Sequence, residues 1–524
     1  MHDYVIVGAG SAGCVLAARL TEDPACRVLL LEAGPPDRKL EIKIPAAFNK
    51  LFKTRYDWAY ETVPQEHLDA RPRFWPRGKT LGGSSSLNAM MYVRGNRADY
   101  DTWAALGNDG WGYDDVLPYF RRSENFERGP TAERGAGGPL NVAALRDLNP
   151  ATEAFLRAAQ EVGIPRNDDI NGAEQDGVDA TQVTQKRGRR WSAADAYLRP
   201  ARKRGNLTVE TGALAQRVRF DGRRAVGVDY VVGEQARRAD ASREVIVAGG
   251  AINSPQLLML SGVGPADQLR AHGIPLVHEL PGVGQHLLDH LAVVSIVACN
   301  EPVTLAAAQS VRNVGRFLLS GRGMLTSNVA EAAAFVRSGD GLPAPDLELV
   351  FAPVTFLDHG LEAPTDHGLT IGAVALQPRS VGALTLASAD PSSPPRIDPN
   401  YLSDDGGEDL QVLVEGMRRA REIFAAPAFA RYVGAPTYPA PSPADDEEAA
   451  QHVRRYAESL YHPVGTCAMG NGPEAVVDAS LRVHGVEQLR VVDASVMPTI
   501  PRGHTHASTV MIAEKASDLL KEER

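Results

Sequence analysis

The sequence predicts a mixed α/β fold of two domains, one with a parallel sheet and one with a separate sheet. The first 34 residues read as an apolar strand at 4–7, a glycine-rich loop at 8–13, an Ala/Leu-rich helix and a strand at 28–31. Between 300 and 400, segments such as DLELVFAPV and LTIGAVALQP alternate apolar and polar residues, as strands do. The 524 residues also exceed the length of one ordinary core, so two domains are expected.

The glycine-rich loop has the spacing G-x-G-x-x-G, from Gly8 to Gly13. In such a loop the first glycine (Gly8) allows a tight turn, the second (Gly10) lets the backbone approach a pyrophosphate, and the third (Gly13) lets helix and strand pack closely. Ser11 and Ala12 open the helix, whose free N–H groups and positive dipole end suit phosphate groups. The loop therefore predicts a dinucleotide site.

The second strand ends on Glu32, 19 residues after Gly13 (32 − 13). An acidic side chain at this place can accept hydrogen bonds from ribose hydroxyls. Ala33 follows with no arginine to pair a 2′-phosphate, which disfavours NADP. FAD and NAD remain open from this motif alone.

Composition excludes several classes of partner. The net charge of −10 (55 basic against 65 acidic side chains) argues against a nucleic acid or an anionic membrane as the main partner. No apolar run approaches the roughly 20 residues that span a bilayer, and a strand that begins at about residue 3 leaves no room for a signal peptide. The four cysteines are scattered without C-x-x-C spacing, so neither a metal site nor a disulfide framework is expected. A cytoplasmic location is expected for the same reason.

Three further segments contain candidate chemistry. In RGKTLGGSSSLNAMMYVRGNR (77–97), the backbone of Gly82 and Gly83 and the serines that follow suit a phosphate or a flat ring; a flexible surface loop is the alternative. His462 precedes a proline, so its backbone is extended. Imidazole is the usual general base for an alcohol proton, although a structural histidine bonded to backbone is the alternative reading of His462.

The third segment, 502–508, contains His504 and His506 between a strand ending near Asp493 and the last helix. A strand-to-helix junction of a parallel sheet is where ligands bind. Metal ligation by these two histidines is disfavoured because no carboxylate or thiolate is nearby in sequence.

Several of these segments together resemble the glucose-methanol-choline (GMC) oxidoreductases, FAD-dependent enzymes that oxidise alcohols. The resemblance rests on YVIVGAGSAGCVLAARL, PRGKTLGGSSSLNAMMYVRG, GGAINSPQLLMLSGVGP, PGVGQHLLDH, HPVGTCAMG and MPTIPRGHTHASTVMIAEKASDLL. It implies a Rossmann-like FAD-binding domain with a parallel sheet (α/β) plus a substrate domain with a mainly antiparallel sheet (α+β). We assign 1–150, 200–298 and 455–524 to the first, and 151–199 and 299–454 to the second.

The resemblance also implies roles for individual residues. His462 falls where the family has its active-site histidine. His506 falls where the family has His or Asn; the glucose- and aryl-alcohol-oxidising members carry His there, and relatives similar to choline dehydrogenases carry Asn. His504 also replaces a common Asn, and its part in the site is left open. Leu87 stands where some relatives attach FAD through a histidine, so non-covalent FAD is predicted.

From the loop motifs and the resemblance, the predicted cofactor-binding residues are Gly8, Gly10, Ser11, Ala12, Gly13, Glu32, Ala33, Gly82, Gly83, Asn88, Ala89, Met90, Val218, Gly250, Tyr461, Asp493, Ala494 and Thr505. Glu348 and Phe351, on the DLELVF segment, are candidates for the substrate pocket; a solvent-facing position is the alternative for Glu348. No metal ion is predicted.

The implied reaction is oxidation of a primary or secondary alcohol to an aldehyde or ketone. In it His462 takes the hydroxyl proton, His506 orients the same oxygen, and hydride passes to flavin N5. O₂ and a quinone-type carrier both remain open as the electron acceptor. The alternatives are a hydroxynitrile-lyase-type enzyme of the same fold and a non-catalytic flavin-binding module. No nucleic acid and no membrane anchor are expected.

Overall fold

Two large sheets organise the chain in the computed structural model, which describes residues 2–308, 310–362 and 366–523. Their order and direction follow the predicted division into a parallel and an antiparallel sheet. The α-helices of the described residues are Ser11–Leu20, Leu40–Lys43, Arg97–Ala105, Tyr113–Ser123, Pro150–Glu161, Arg199–Ala201, Gly250–Leu260, Ala266–Ala271, Val311–Ser320, Glu408–Ala425, Asp446–Tyr456 and Thr505–Glu522.

The first sheet is parallel in its centre. It runs in the order Leu207–Thr211, Val28–Glu32, His2–Val7 and Gln235–Val247, and Leu489–Val491 pairs with the last of these. The long strand Gln235–Val247 serves two layers: residues 241–247 pair in parallel with the first strand, and residues 235–240 pair antiparallel with Arg224–Val232. The apolar residues at 245–247 are therefore the end of a much longer strand.

The second sheet is antiparallel throughout. Its order is Val433–Tyr438, Leu291–Cys299, Gly368–Ala375, Leu347–Ala352, Ala332–Val336 and Gly177–Ala180. The strand Leu291–Cys299 lies in this sheet, although our assignment put residues up to 298 in the first domain. The short strand Glu458–Ser459 also pairs with it. The chain thus enters the second sheet earlier than its composition indicates.

One face of the second sheet is covered by the helix Glu408–Ala425. Gly416 lies so close to Ala373 that a Cβ on the glycine would collide with the alanine side chain. Because side chains alternate along a strand, the neighbours Gly372 and Val374 face the other way, into the cavity described below.

The two ends of the chain meet in the first domain. The helices Ser11–Leu20 and Thr505–Glu522 pack against each other, and Arg19 donates from Nε and Nη2 to the buried carboxylate of Glu514, both at 2.9 Å. This contact explains how distant segments form one domain. In the described part of the chain, no helix combines the length and hydropathy that crossing a bilayer requires.

The helix Gly250–Leu260 begins five residues before Pro255, which therefore lies inside it. A proline inside a helix has no N–H for the carbonyl four residues earlier. Here that carbonyl, of Ala251, accepts a hydrogen bond from Thr466 Oγ1 at 2.6 Å. A side chain from the HPVGTCAMG segment therefore replaces the missing backbone donor.

Candidate active site

A cavity of about 610 Å³ lies between the two sheets. On one side it is lined by the carboxyl ends of the parallel strands, including Gly8, Glu32 and Ala248. On the other side it is lined by residues of the antiparallel sheet, such as Val294 and Val350. The carboxyl edge of a parallel sheet is the usual ligand position in such folds.

Glycine is required at different positions of the first loop for different reasons. A Cβ on Gly13 would collide with the carbonyl oxygen of Gly8, so Gly13 serves the packing of helix on strand. A Cβ on Gly10 would meet no protein atom within 4 Å, and the φ of Gly10 is −74°. The protein's own packing therefore does not demand glycine at 10, whereas a phosphate group lying against the loop would.

A second glycine-rich segment closes on this loop. Gly82 N donates to the Ala9 carbonyl at 2.8 Å. Gly83, with φ of +53°, lies so close to Gly10 that an added Cβ would be 2.7 Å from its Cα. The two loops thus form one backbone cradle, and its open N–H groups fit the pyrophosphate of a dinucleotide.

Glu32 stiffens the same cradle. Its Oε2 accepts from Ala9 N at 2.9 Å and its Oε1 from Gly34 N at 2.8 Å. Burial raises the pKa of Glu32 to about 7, against the lowering effect of these two hydrogen bonds. The carboxyl group lines the cavity at the end of its strand, where a ribose would lie.

Most of the predicted site residues line this cavity. They are Gly8, Gly10, Ser11, Ala12, Glu32, Ala33, Gly83, Asn88, Ala89, Met90, Gly250, Tyr461, His462, Asp493, Ala494, Thr505 and His506. Leu87 lines it too, and its side chain has no atom that could form a covalent link to a flavin.

Five predicted residues do not line the cavity. Gly13 and Gly82 lie behind it and hold the two loops together. Val218 is buried, and its N–H donates to Ser261 Oγ at 2.7 Å; Ala213, Leu214 and Ala215, earlier on the same strand, contact the cavity instead.

The remaining two residues lie on opposite faces of the strand Leu347–Ala352. Phe351 points into the core, where its ring stacks on Phe155 with centroids 4.7 Å apart. Glu348 is fully buried and does not face solvent. Its Oε1 lies 3.1 Å from His504 Nε2, so it supports a cavity residue without lining the cavity itself.

His462 is held at both its backbone and its ring by two consecutive residues of the LLDH segment. Its N–H donates to Asp289 Oδ1 at 2.7 Å. Its Nδ1 lies 3.0 Å from the Nδ1 of His290, which is completely buried. Asp289 is fixed in turn by hydrogen bonds from Ser459 and Tyr401.

These contacts determine which nitrogen of His462 carries the proton. His290 Nε2 lies 3.1 Å from the Leu376 carbonyl, which can only accept, so this nitrogen carries hydrogen. Burial lowers the pKa of His290 to about 3, so the ring is neutral and its Nδ1 accepts. His462 must then donate from Nδ1, and its Nε2 keeps a free lone pair.

His462 is neutral at physiological pH. Burial lowers the pKa of its imidazole well below 6.5, and the nearby rings of His504 and His290 and the guanidinium of Arg77 lower it further. A neutral imidazole with an unprotonated Nε2 is the form that can accept a proton.

His504, rather than His506, lies beside His462. The His504 and His462 rings meet edge to face with centroids 4.7 Å apart. His504 caps the last helix with an extended backbone, φ −106° and ψ 127°, whereas His506 lies in its first turn. The Nδ1 of His506 lies 2.9 Å from Ser11 Oγ. The ring in contact with His462 is therefore that of His504, whereas His506 lies against Ser11 of the first glycine-rich loop.

The backbone before His462 is strained. Tyr461 has φ of +68°, uncommon for a residue with a side chain. Arg77 Nη2 donates to its carbonyl, and its hydroxyl lies in hydrogen-bond contact with His359. Such strain is typical of residues that a functional site holds in place.

Sequence reasoning missed His290, Asp289 and Arg77. All three lie in segments already singled out, PGVGQHLLDH and PRGKTLGG. The adjacent Asp-His pair in the first of these was the available signal, because both side chains can hold another histidine. Among the described residues, no group of three His, Cys, Asp or Glu side chains is arranged to hold a metal ion.

Comparison with known proteins identifies the family. The GMC oxidoreductase N-terminal and C-terminal models match residues 2–292 and 378–513. This chain belongs to the GMC oxidoreductase family. It is 45% identical to an alcohol dehydrogenase [acceptor] of Pseudomonas putida, over 99% of this chain and 96% of that one. It is 47% identical to the mitochondrial choline dehydrogenase of Mus musculus, over 99% of this chain and 89% of that one.

Solved GMC structures share the fold. Pyridoxine 4-oxidase from Mesorbium loti superposes with a TM-score of 0.92 at 32% identity, over all of both chains. A formate oxidase superposes with a TM-score of 0.93 at 30% identity, over all of this chain and 98% of that one. The cofactor of this GMC oxidoreductase is FAD, and the cradle around Gly10 fits its pyrophosphate.

Proposed function

We propose that this GMC oxidoreductase oxidises an alcohol, with His462 Nε2 as the base that takes the hydroxyl proton. The observation that carries this proposal is the hydrogen-bond chain from Leu376 through His290 to His462, because it leaves one unprotonated nitrogen on a cavity-lining ring. A positioned base of this kind contributes about 10²–10⁴ in rate.

The cofactor cradle binds FAD, and the histidines act on the alcohol. When bound, FAD supplies the acceptor for the hydride that leaves the carbinol carbon. The backbone around Gly10 and Gly83 holds the pyrophosphate, and Glu32 serves the ribose. His506, whose Nε2 is buried without a protein partner among the described residues, contributes a further contact to the cofactor.

His504 acts on the same oxygen as His462. Its Nε2–H is held by Glu348 Oε1, which leaves the other ring nitrogen for the alcohol. A carboxylate at 3.1 Å fixes the orientation of the His504 ring beside His462. Glu348 is thus a positioning residue for His504.

His290 stabilises His462 before and after the transfer. Its Nδ1 accepts from His462 Nδ1 in the resting state, which fixes the tautomer. Once Nε2 holds the alcohol proton, the same hydrogen bond is donated by a charged His462 ring and strengthens. His290 is therefore a positioning residue whose removal affects the proton step.

The wall contributed by the second sheet favours apolar alcohols. Ala292, Val294, Val350 and Val374 face the cavity from neighbouring strands. Thr370 adds a hydroxyl that donates to the Val354 carbonyl at 2.6 Å, and the edge strands of the same sheet add Tyr438, Glu458 and Ser459. An aliphatic or aromatic group would pack against the four apolar side chains in the middle of this wall.

Anaerobic mixing with alcohols tests the proposal. The purified, FAD-loaded protein is mixed without oxygen with aromatic, aliphatic, polyol, amino-alcohol and pyridine-type alcohols, and the flavin absorbance is followed. We expect bleaching, fastest with aromatic and aliphatic members. Air is then admitted: rapid recolouring with peroxide identifies O₂ as acceptor, and slow recolouring indicates an acceptor other than O₂.

The control is His462→Ala, which keeps the cradle and should keep FAD but not its reduction. Absence of bleaching with every alcohol would contradict the proposal. Cleavage of a hydroxynitrile without bleaching would instead establish the lyase.

A further inference from the structure

The helix Val311–Ser320 shows its apolar face to solvent. Val311 is 90% exposed, Leu318 55% and Leu319 93%, and Val314 is also exposed. Their spacing i, i+3, i+7, i+8 places them on one face, the stripe that a surface helix normally turns toward the core. Single exposed apolar residues need no explanation, but a contiguous patch marks an interaction surface.

The opposite side of this helix packs against the rest of the protein. Phe317, 2% exposed, packs in a small cluster with Leu305, Leu325 and Ala352. Ala352 and Phe356, which packs against the same cluster, also line the cavity. The exposed face therefore lies on the outside of the cavity wall.

Basic side chains surround the exposed face. The group consists of exposed residues on the helix, on the loop that follows it and on two neighbouring segments: Arg146, Lys186, Arg187, Arg189, Arg312, Arg316 and Arg322. Arg146 donates to the Gly321 carbonyl at 3.0 Å, and the Arg189 guanidinium lies 5.9 Å from the Phe317 ring centre. Among the described residues, the salt bridges of this group all go to Asp147.

We propose that this surface, called here the basic–apolar face, docks the protein on an anionic phospholipid bilayer. An amphipathic helix with apolar side chains on one face and arginines beside it lies in the lipid interface without crossing it. Arginines near such a surface add electrostatic attraction to anionic headgroups. The net charge of −10 conceals this local excess of positive charge.

A second copy of the chain fits the face less well. A two-fold dimer brings the same patch of each subunit together, so the arginines of one copy would meet those of the other. The positive charge therefore favours an anionic partner over self-association. Docking by this face would bring the cavity wall at Ala352 and Phe356 close to the lipid interface.

Vesicle sedimentation of the FAD-loaded full chain tests the proposal. We expect binding to vesicles of phosphatidylcholine with phosphatidylglycerol, much weaker binding to phosphatidylcholine alone, and a loss of binding as salt is raised. The double variant Leu318→Ser/Leu319→Ser should weaken binding about tenfold or more, because it removes apolar groups from the lipid contact. Arg312→Glu should weaken it as well.

The matched control is Leu106→Ser/Leu276→Ser, which removes two exposed leucines from the first domain and should bind vesicles like the parent chain. Activity with a soluble dye should be the same in all these variants. Failure to bind the anionic vesicles, or equal loss in the control, would overturn the proposal. So would a parent dimer that the Leu318/Leu319 variant converts to a monomer with vesicle binding unchanged, because the face would then be a subunit interface.

Discussion

Two parts of the cavity, the cofactor cradle and the wall that contains the histidines, differ in whether backbone or side chains form them. The cofactor cradle is backbone: its contacts come from Gly10, Gly83 and Ala9, and two short segments supply most of it. The histidine wall is made of side chains: His462 and His504 line the cavity, and His290 and Glu348 hold them from behind. A backbone cradle tolerates changes of side chain except where a Cβ would intrude. A side-chain wall depends on each nitrogen and oxygen.

The largest difference between the walls should be seen in His462→Ala. We expect the rate of flavin reduction by the alcohol to fall about 10²–10⁴-fold with FAD still bound, because only the base is lost. Stopped-flow reduction under anaerobic conditions measures it. His272→Ala, which changes a histidine bonded to the Leu386 carbonyl, is the matched control. Near-normal reduction in His462→Ala would remove this residue from the role.

The next largest effect is expected from His290→Phe. An aromatic ring, somewhat larger than imidazole, is kept, but the acceptor for His462 Nδ1–H is lost, and a hydrogen bond to a charged group contributes about 1.5–3 kcal/mol. The reduction rate should fall about tenfold to a hundredfold with little change in KM, and its pH profile should shift. If KM changes and the rate and pH profile do not, His290 has a packing role only.

Gly10→Ala tests the cradle itself. The added methyl meets no protein atom within 4 Å, so thermal stability of the FAD-free chain should be unchanged while FAD affinity falls about tenfold, roughly 1.4 kcal/mol. Gly13→Ala is the contrast, because its Cβ meets the Gly8 carbonyl and should cost about 1–3 kcal/mol of folding stability. Equal FAD affinity in Gly10→Ala and the parent would show that the phosphates lie elsewhere.

Substitution of His504 and of His506 should affect different steps, one for each wall of the cavity. We expect His504→Ala to slow flavin reduction and His506→Ala to weaken FAD binding, each by a few-fold to about tenfold, the size of one or two hydrogen bonds. Reduction kinetics and FAD titration of both variants measure this. If His506→Ala slows reduction while His504→Ala does not, His506 rather than His504 is the histidine that contacts the substrate oxygen.

The smallest effect concerns pH. The base must be unprotonated, and the lowered pKa of His462 keeps it so until the pH is well below 6.5. The reduction rate should therefore stay level as the pH falls through 6.5, and its acid limb should lie below that value. An acid limb at or above pH 6.5 would mean that another group controls the proton step.

Much of the fold was available from the sequence because its signals are local. The βαβ unit of residues 2–32, the strand at 489–491 and the C-terminal helix follow from periodicity and glycine spacing, and all are found. The predicted strands in DLELVF and LTIGAVA are also found, as antiparallel neighbours. The start of Gly250–Leu260 was not predictable, since Thr466 satisfies the carbonyl that Pro255 leaves open.

The sequence by itself determined the family, the FAD cofactor and the cradle, because these depend on residues close together in the chain. Tertiary structure alone decided that His504 meets His462 and that His290 sets its tautomer. It also decided that Val311–Ser320 turns its apolar stripe outward. The physical reason is the same in each case: ring-to-ring contacts and burial depend on which distant segments meet, and local pattern contains no information on that.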